Sequence, residues 1–259
     1  MATTAEMRGT ERLRPGWLHG YSTMTHWELA DLRLTLPLMV VIQVLAGAGF
    51  VLGIGLFFRH IPPTTALYVS TGVPVVNLVL IGLIFGPQVV AEQKLKGTYD
   101  YLRALPVPRS SAALAWFTVT LLAGIPAVLV SLLMAEARYD FTYTITLSII
   151  PACLLTAFTG TMLGYALSHA IRNPMTTRLI TQLLVFVVMG FSPIMYPASQ
   201  LPDWLAAVNR WLPFEHMAVI VRAGLTAGLV DEVGRSYVIV AIWGVLGAAF
   251  AARALGRRG

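Results

Sequence analysis

The stretch LLVFVVMGF, residues 183–191, contains nine consecutive residues without a charged side chain. The uncharged run around it extends from Leu179 to Pro202. A hydrocarbon core about 30 Å thick is crossed by about 20 apolar residues in an α-helix. A strand of a membrane barrel would alternate apolar and polar residues, and this stretch does not. It therefore predicts a transmembrane helix.

Five further stretches meet or approach the same length of apolar sequence. The six predicted spans are Leu34–Phe58, Ile61–Ala91, Ser110–Ala135, Phe141–Ser168, Leu179–Pro202 and Ser236–Ala252. Of the 259 residues, 57% are hydrophobic and only 12% are charged, about half the charge density of a soluble domain. We therefore predict an all-α integral membrane protein with six transmembrane helices.

The placement of the basic residues predicts the orientation of these helices. With the N-terminus inside the cell, 13 of the 18 lysines and arginines fall on the cytoplasmic side and five on the outer side. This asymmetry favours the inner (plasma) membrane with both termini in the cytoplasm. The positive charge thus serves to orient helices and forms no continuous stripe for nucleic acid.

Segments outside the spans divide the chain further. Residues 1–16 are polar and predict a tail, and Trp17, Tyr21, Met24 and Trp27 recur at helical spacing within residues 17–33. The recurrence predicts an amphipathic interfacial helix, with Glu28 away from the aromatic face. The six-helix domain covers residues 34–259, with a charged cytoplasmic loop at 92–109 and an outer segment at 197–235. In that outer segment we predict two short helices, the first with its tryptophans on an apolar face and Asn209 elsewhere; they either dip into the membrane or rest on its surface.

The chain lacks the common signatures of catalysis. No GxxxxGKS or GKT phosphate loop, GxSxG elbow or HExxH metal motif is present. No charged residue is predicted in the middle of a span, where ion-coupled pumps place theirs. This argues against an autonomous ion-driven pump, so any energy would come from outside the chain. For a lipid-modifying enzyme, the only candidate catalytic residues near the outer turns are His60, Glu136 and Asp140, and their spacing matches no catalytic pattern. The single cysteine, Cys153, is predicted to be a core residue.

Mildly polar residues in spans two and five form a candidate substrate path. They share predicted helix faces and are Asn77, Gln88, Gln182, Phe186, Met189 and Tyr196. Two interpretations remain open for them. They either hold helices together by hydrogen bonds or line a mostly apolar cavity suited to an amphipathic molecule.

Two stretches carry a family resemblance that covers nearly the whole chain. AEQKLKGTYDYLRALPVPR, residues 91–109, resembles the inner loop after the second span of ABC-2 type transporter permeases. SPIMYPASQLPDWLAAVNRWLPFEHMAVIVRAGL, residues 192–225, resembles that family's segment from the end of span five through the outer helices. The sequence departs from the family in having Tyr99-Asp100 where many members have Leu-Glu, although the acidic character is kept.

The resemblance implies a membrane subunit of an ATP-driven exporter. Two permeases, identical or homologous, would pair side by side in membrane lipid above two separate ATPase subunits, which would hold ATP and Mg²⁺; the permease itself would have no cofactor. The implied ATPase-coupling residues are Glu92, Lys94, Lys96, Gly97, Thr98, Asp100, Leu102 and Pro106. The implied cargo is a hydrophobic or amphipathic antibiotic, drug or lipid moving along spans two and five. Alternatives are a polysaccharide exporter and a scaffold without transport.

The charge asymmetry yields a test of topology. Single cysteines at Ala5, Thr64 and Arg257 in a Cys153→Ala background would be exposed to a membrane-impermeant thiol reagent in intact cells. Only the Thr64 site should be labelled, since it alone is predicted to lie outside. Labelling at Ala5 or Arg257 would overturn the predicted orientation.

Overall fold

A computed structural model describes residues 16–57, 62–139 and 142–256. These residues form helices, with no strand among them. Eleven α-helices are found: α1 Trp17–Asp31, α2 Thr35–Phe57, α3 Pro63–Val79, α4 Gly86–Lys96, α5 Thr98–Ala104, α6 Arg109–Tyr139, α7 Ile149–Ala170, α8 Pro174–Phe191, α9 Asp203–Asn209, α10 Pro213–Leu225 and α11 Val233–Gly256. A π-helical segment, Leu80–Phe85, joins α3 to α4, and a 3₁₀ turn, Ala198–Gln200, precedes α9. The predicted tail (except Gly16), His60 and Asp140 lie outside the described residues.

Six helical stretches within the described residues are long and apolar enough to cross a bilayer. They are Thr35–Gly53, Pro63–Lys96, Arg109–Tyr139, Ile149–Ala170, Pro174–Phe191 and Val233–Ala254. The prediction of an all-α protein with six spanning helices is therefore confirmed. The second stretch combines α3, the π-helical segment and α4 into one continuous rod.

The predicted boundaries of the fourth and fifth spans were wrong. The fourth spanning helix begins at Ile149 rather than Phe141, because the chain before it is extended and bonds to the end of α10. Thr144 N donates to Leu225 O at 3.1 Å and Thr146 N to Gly224 O at 2.9 Å, satisfying carbonyls that a helix end leaves unpaired. The fifth helix ends at Phe191 rather than Pro202, just before the Ser192-Pro193 pair.

The beginning of α8 also differs from the predicted start at Leu179. Asn173 caps the helix, its Oδ1 accepting hydrogen bonds from the backbone N of Met175 at 2.8 Å and of Thr176 at 3.3 Å. Pro174 occupies the first helical position, where its missing N–H costs nothing. The Asn-Pro pair thus both ends the turn and starts the helix.

The second spanning stretch forms the centre of the bundle. Of the most apolar 18 consecutive residues of this stretch, 83% are buried, whereas only 17% are buried in the corresponding parts of α2 and α8. Its valines, among them Val73, Val76 and Val79, pack in one core with Met217 and Ile220 of α10. Spans one and five therefore lie at the periphery, where large apolar side chains stay exposed.

The π-helical segment lies where the second span crosses α7 at very short distance. A Cβ placed on Gly82 would meet the backbone N of Thr161 at 2.6 Å, and one placed on Gly164 would collide with the carbonyl oxygen of Gly82. Small residues spaced four apart, Gly160 and Gly164, let the two backbones approach in this way. At this crossing, the second span and α7 are therefore held together by van der Waals contacts between backbone atoms instead of contacts between side chains.

The two ends of the bundle carry different short elements. The end formed by α1 and α5 is here named the α1 end, and the opposite end, with α9 and α10, the α10 end. At the α1 end, Tyr21 Oη lies 2.9 Å from Thr118 Oγ1, and Trp17 Nε1 donates to Ser110 Oγ at 3.0 Å, so α1 lies along α6. The helix predicted for residues 17–33 corresponds to α1, which begins at Trp17 and ends two residues earlier, at Asp31.

Two short helices each bury a polar side chain that the sequence pattern placed off their apolar faces. In α1, Glu28 is buried beside Met24 and Gly20, whereas Trp17 is exposed. In α9, Trp204 is exposed while Asn209 is buried, because its Nδ2 donates to the carbonyl oxygen of Phe191 at the end of α8, at 2.9 Å. A helix end that lacks intrahelical partners draws the polar side chain inward.

The tight crossing yields a test of packing. Gly164→Val should lower the melting temperature of the purified protein by several degrees, because the added side chain has no space against Gly82 and overpacking costs about 1–3 kcal/mol. Gly190→Val is the matched control, since nothing lies within 4 Å of a Cβ at that position. Equal melting temperatures of the two variants would contradict the close approach.

Candidate functional site

The chain turns sharply between α4 and α5 at the α1 end. Gly97 has φ +77°, a left-handed conformation that glycine adopts without steric cost, and it both ends α4 and starts α5. The short helix α5 then ends before Pro106. The sequence at 97–106 therefore forms a compact helical corner.

The outer surface of this corner mixes charged and apolar side chains. Glu92 and Lys96, one helical turn apart, form an ion pair of 2.7 Å that is open to solvent. Of the other residues predicted to couple to an ATPase, Asp100 and Pro106 are also exposed, and Thr98 and Leu102 are half-buried. Sequence reasoning missed Leu95 and Tyr101, two large side chains that are exposed beside these charges. Large apolar residues within a charged loop were the sequence signal that could have identified these two residues.

Lys94 differs from the rest of the predicted coupling set, because its side chain turns inward. Its Nζ donates to the carbonyl oxygens of Ser168 and Ile171, the latter at 2.7 Å. These carbonyls belong to the end of α7, where a positive charge also meets the negative end of the helix dipole. Lys94 therefore fastens the corner to α7 rather than presenting a charge to a partner.

A cavity of about 510 Å³ lies behind the corner. Residues of α1, α4, α5, α6 and α7 form its wall, among them Glu28, Tyr99, Trp116, Tyr165 and His169. Burial, with a smaller contribution from Asp31, raises the pKa of Glu28 to about 8. The sequence pattern gave no sign of this site, since Glu28 stood on the polar side of a predicted surface helix.

The structure separates the residues of the predicted substrate path. Asn77 is buried, its Nδ2 donating to Ala127 O of α6 at 3.4 Å and lying close to Gly47 of α2. The amide of Asn77 thus holds helices together by a hydrogen bond. This was one of the two interpretations left open for it, the other being the lining of a cavity. Gln88 is half-buried on α4, beyond the π-helical segment.

The predicted path residues of span five do share one region. Gln182 and Phe186 of α8 are exposed, and Met189 is half-buried against the core. Tyr196 follows in the turn after α8 and donates its hydroxyl to Gly190 O at 3.3 Å. The outward face of α8 is therefore available to another molecule, whereas Asn77 is not part of that face.

A buried arginine organises the α10 end. Arg222 is only 2% exposed; its Nε donates to Thr71 Oγ1 at 3.0 Å and its Nη2 to Ile194 O at 2.6 Å. Its Cζ lies 4.1 Å from the ring centroid of Tyr68. Burial lowers the pKa of Arg222 to about 10, so the guanidinium remains charged at neutral pH. The arginine thus joins α10, α3 and the turn after α8, which places α10 inside the bundle.

The described part of the chain holds no group of three or more histidine, cysteine or acidic residues arranged to bind a metal ion. One of the comparisons with known proteins identifies a transporter family over most of the chain. A family model described as ABC-2 family transporter protein matches residues 62–253, which include every element from α3 to nearly the end of α11. A search of curated proteins finds no match.

Proposed function

Since this chain belongs to the ABC-2 family of transporter proteins, we propose that it is the permease subunit of an ATP-driven exporter. As a family member with six spanning helices it is a multi-pass membrane protein. In the proposal it resides in the inner membrane with both termini in the cytoplasm, so the α1 end faces the ATPase.

The observation that carries the proposal is the helical corner at Gly97. The corner presents Glu92, Lys96, Asp100 and Tyr101 to solvent and is fastened to α7 by Lys94. A force applied to an exposed, rigidly held helix passes into the bundle instead of bending a loop. The ATPase, with its ATP and Mg²⁺, would bind at this surface.

In the proposed transporter, a second permease covers the outward face of α8. Leu179, Leu183 and Phe186 leave this face exposed and apolar. A path bordered by α8 of two permeases would present aromatic, thioether and amide groups, without a fixed charge among the predicted path residues. We therefore propose a hydrophobic or amphipathic cargo, such as an antibiotic, drug or lipid.

Coupling is tested by two substitutions at one position. Gly97→Pro should reduce substrate-stimulated ATP hydrolysis and export by about tenfold, because proline fixes φ near −65° and cannot adopt +77°. Gly97→Asn is the control and should keep most activity, since asparagine tolerates the left-handed region. Both would be measured in vesicles holding the permease and its ATPase.

Glu92→Ala in the same assay should also uncouple hydrolysis from export, with the permease dimer intact by size-exclusion chromatography. If Gly97→Pro and Glu92→Ala both retain wild-type export and stimulation, the corner is not the site of coupling. Loss in Gly97→Asn equal to that in Gly97→Pro would instead show that any side chain there is harmful.

The substrate path is tested with two exposed aromatic residues. Phe186→Ala on α8 should change the relative export of a panel of amphipathic compounds while basal ATP hydrolysis stays largely intact, and Met189→Ala should act similarly. Trp211→Ala, at the α10 end, is the control: Trp211 is 79% exposed and Phe186 64%. An altered profile in Trp211→Ala with an unaltered one in the α8 variants would place the path elsewhere.

A further inference from the structure

The cavity at the α1 end has the size of a small-molecule site. Its volume of about 510 Å³ falls within the range of about 300–1,000 Å³ that is typical of ligand pockets. Five helices contribute to its wall, so its shape depends on tertiary packing rather than on one loop. It lies within one chain, away from the exposed face of α8.

Glu28 supplies an unsatisfied acceptor in this wall. The residue is only 7% exposed, and its Oε2 makes no hydrogen bond with any residue that the structure describes. Its neighbour Asp31 has a partner, because Gln93 Nε2 donates to Asp31 Oδ2 at 3.3 Å. A buried carboxyl oxygen without a partner is unfavourable, which a bound donor would relieve.

Aromatic rings line the same cavity. The ring centroids of Tyr165 and His169 are 4.1 Å apart, and those of Tyr99 and His169 are 5.6 Å apart. Trp116 contributes a fourth ring to the wall. The Nζ of Lys94 lies 5.0 Å from the Tyr99 centroid, so one of these rings already holds a cation. Aromatic faces beside a carboxyl are the combination that favours an organic cation.

We propose that this cavity binds an organic cation with an aromatic or apolar body. The cationic group lies at Glu28 and the body packs against Trp116, Tyr165 and the apolar part of the wall. Arg109 also borders the cavity but is exposed at its edge, where solvent screens its charge. The proposal goes beyond transport, since binding to the purified permease is measured without an ATPase and can hold or fail independently.

The protonation of Glu28 gives the binding a characteristic pH dependence. Below its pKa of about 8 the carboxyl is neutral, and above it the carboxylate attracts the cation, so affinity for a cation should rise as pH passes 8. The other charged or titratable groups around it are Asp31 on α1, Lys94 on α4, Tyr99 and Asp100 on α5, Arg109 on α6, and Tyr165 and His169 on α7. A substitution at Glu28 separates its contribution from theirs.

The test uses a permanent cation and a neutral molecule of similar shape. The cation is the fluorescent dye 4-(4-dimethylaminostyryl)-N-methylpyridinium, and the neutral comparison is 4-dimethylaminostilbene. Binding to the full chain in nanodiscs is titrated from pH 6.5 to 9, with empty nanodiscs subtracted. Wild-type affinity for the cation should rise at least about threefold across this range, while that for the stilbene stays constant.

Substitution then locates the charge. Glu28→Gln, of nearly the same shape, should weaken cation binding at pH 9 by about tenfold, remove the pH dependence and leave stilbene binding within about threefold. Glu92→Gln, which removes an exposed carboxylate at the same end, is the control and should bind the cation as wild type does.

Three results would overturn the proposal. They are wild-type cation binding that does not change with pH, unchanged cation binding in Glu28→Gln, and an equal loss in Glu92→Gln, which would indicate attraction to surface charge alone. Should Glu28→Gln not yield folded protein, the wild-type pH series with the matched cation and stilbene decides the matter.

Discussion

The arrangement of the α10 end depends on one buried guanidinium. Where the chain leaves α8 and turns back, its backbone is not helical, and carbonyl groups there have no intrahelical donor. Arg222 supplies the donors: it reaches Ile194 in the turn and Thr71 on α3 while it sits over the Tyr68 ring. Removal of the guanidinium leaves the buried carbonyl oxygen of Ile194 without this donor, and an unsatisfied buried acceptor costs about 1–3 kcal/mol. One side chain therefore fixes three segments that are distant in sequence.

The same constraint, that backbone polar groups away from water need partners, explains which predictions succeeded. Long apolar runs had to be helices, so their number and order could be predicted from the sequence. The ends of helices could not, because their partners come from distant residues. The sequence pattern placed Asn209 off an apolar face, and the resemblance assigned Lys94 to the coupling segment, yet each bonds to carbonyls at the end of another helix. Residues 142–148, apolar enough to extend a span, bond to the end of α10 instead.

The candidate sites show the same division. The helical segment after Gly97 was expected through the resemblance, because Gly-Thr followed by a short leucine-containing helix and a proline is a local pattern. The cavity behind the corner was not, since its wall joins α1 to residues more than 130 positions away on α7. Asn77 and Gln88 were predicted to share a helix face on the assumption that the second span is a uniform α-helix. The π-helical segment between them makes that assumption invalid.

That segment, Leu80–Phe85, also sets the rotation of α4 relative to α3 about the axis of the second span. A π-helical turn accommodates an extra residue, and one residue corresponds to about 100° of rotation about the helix axis. The side of α4 that contacts α1 and α7 is thereby set independently of the side of α3 that contacts α10. Loss of a single residue there would shorten the rod by only about 1.5 Å, yet it would turn Gln93 from Asp31 and Lys94 from the end of α7. In this span, the number of residues determines the direction in which the side chains of α4 point far more than it determines the length of the helix.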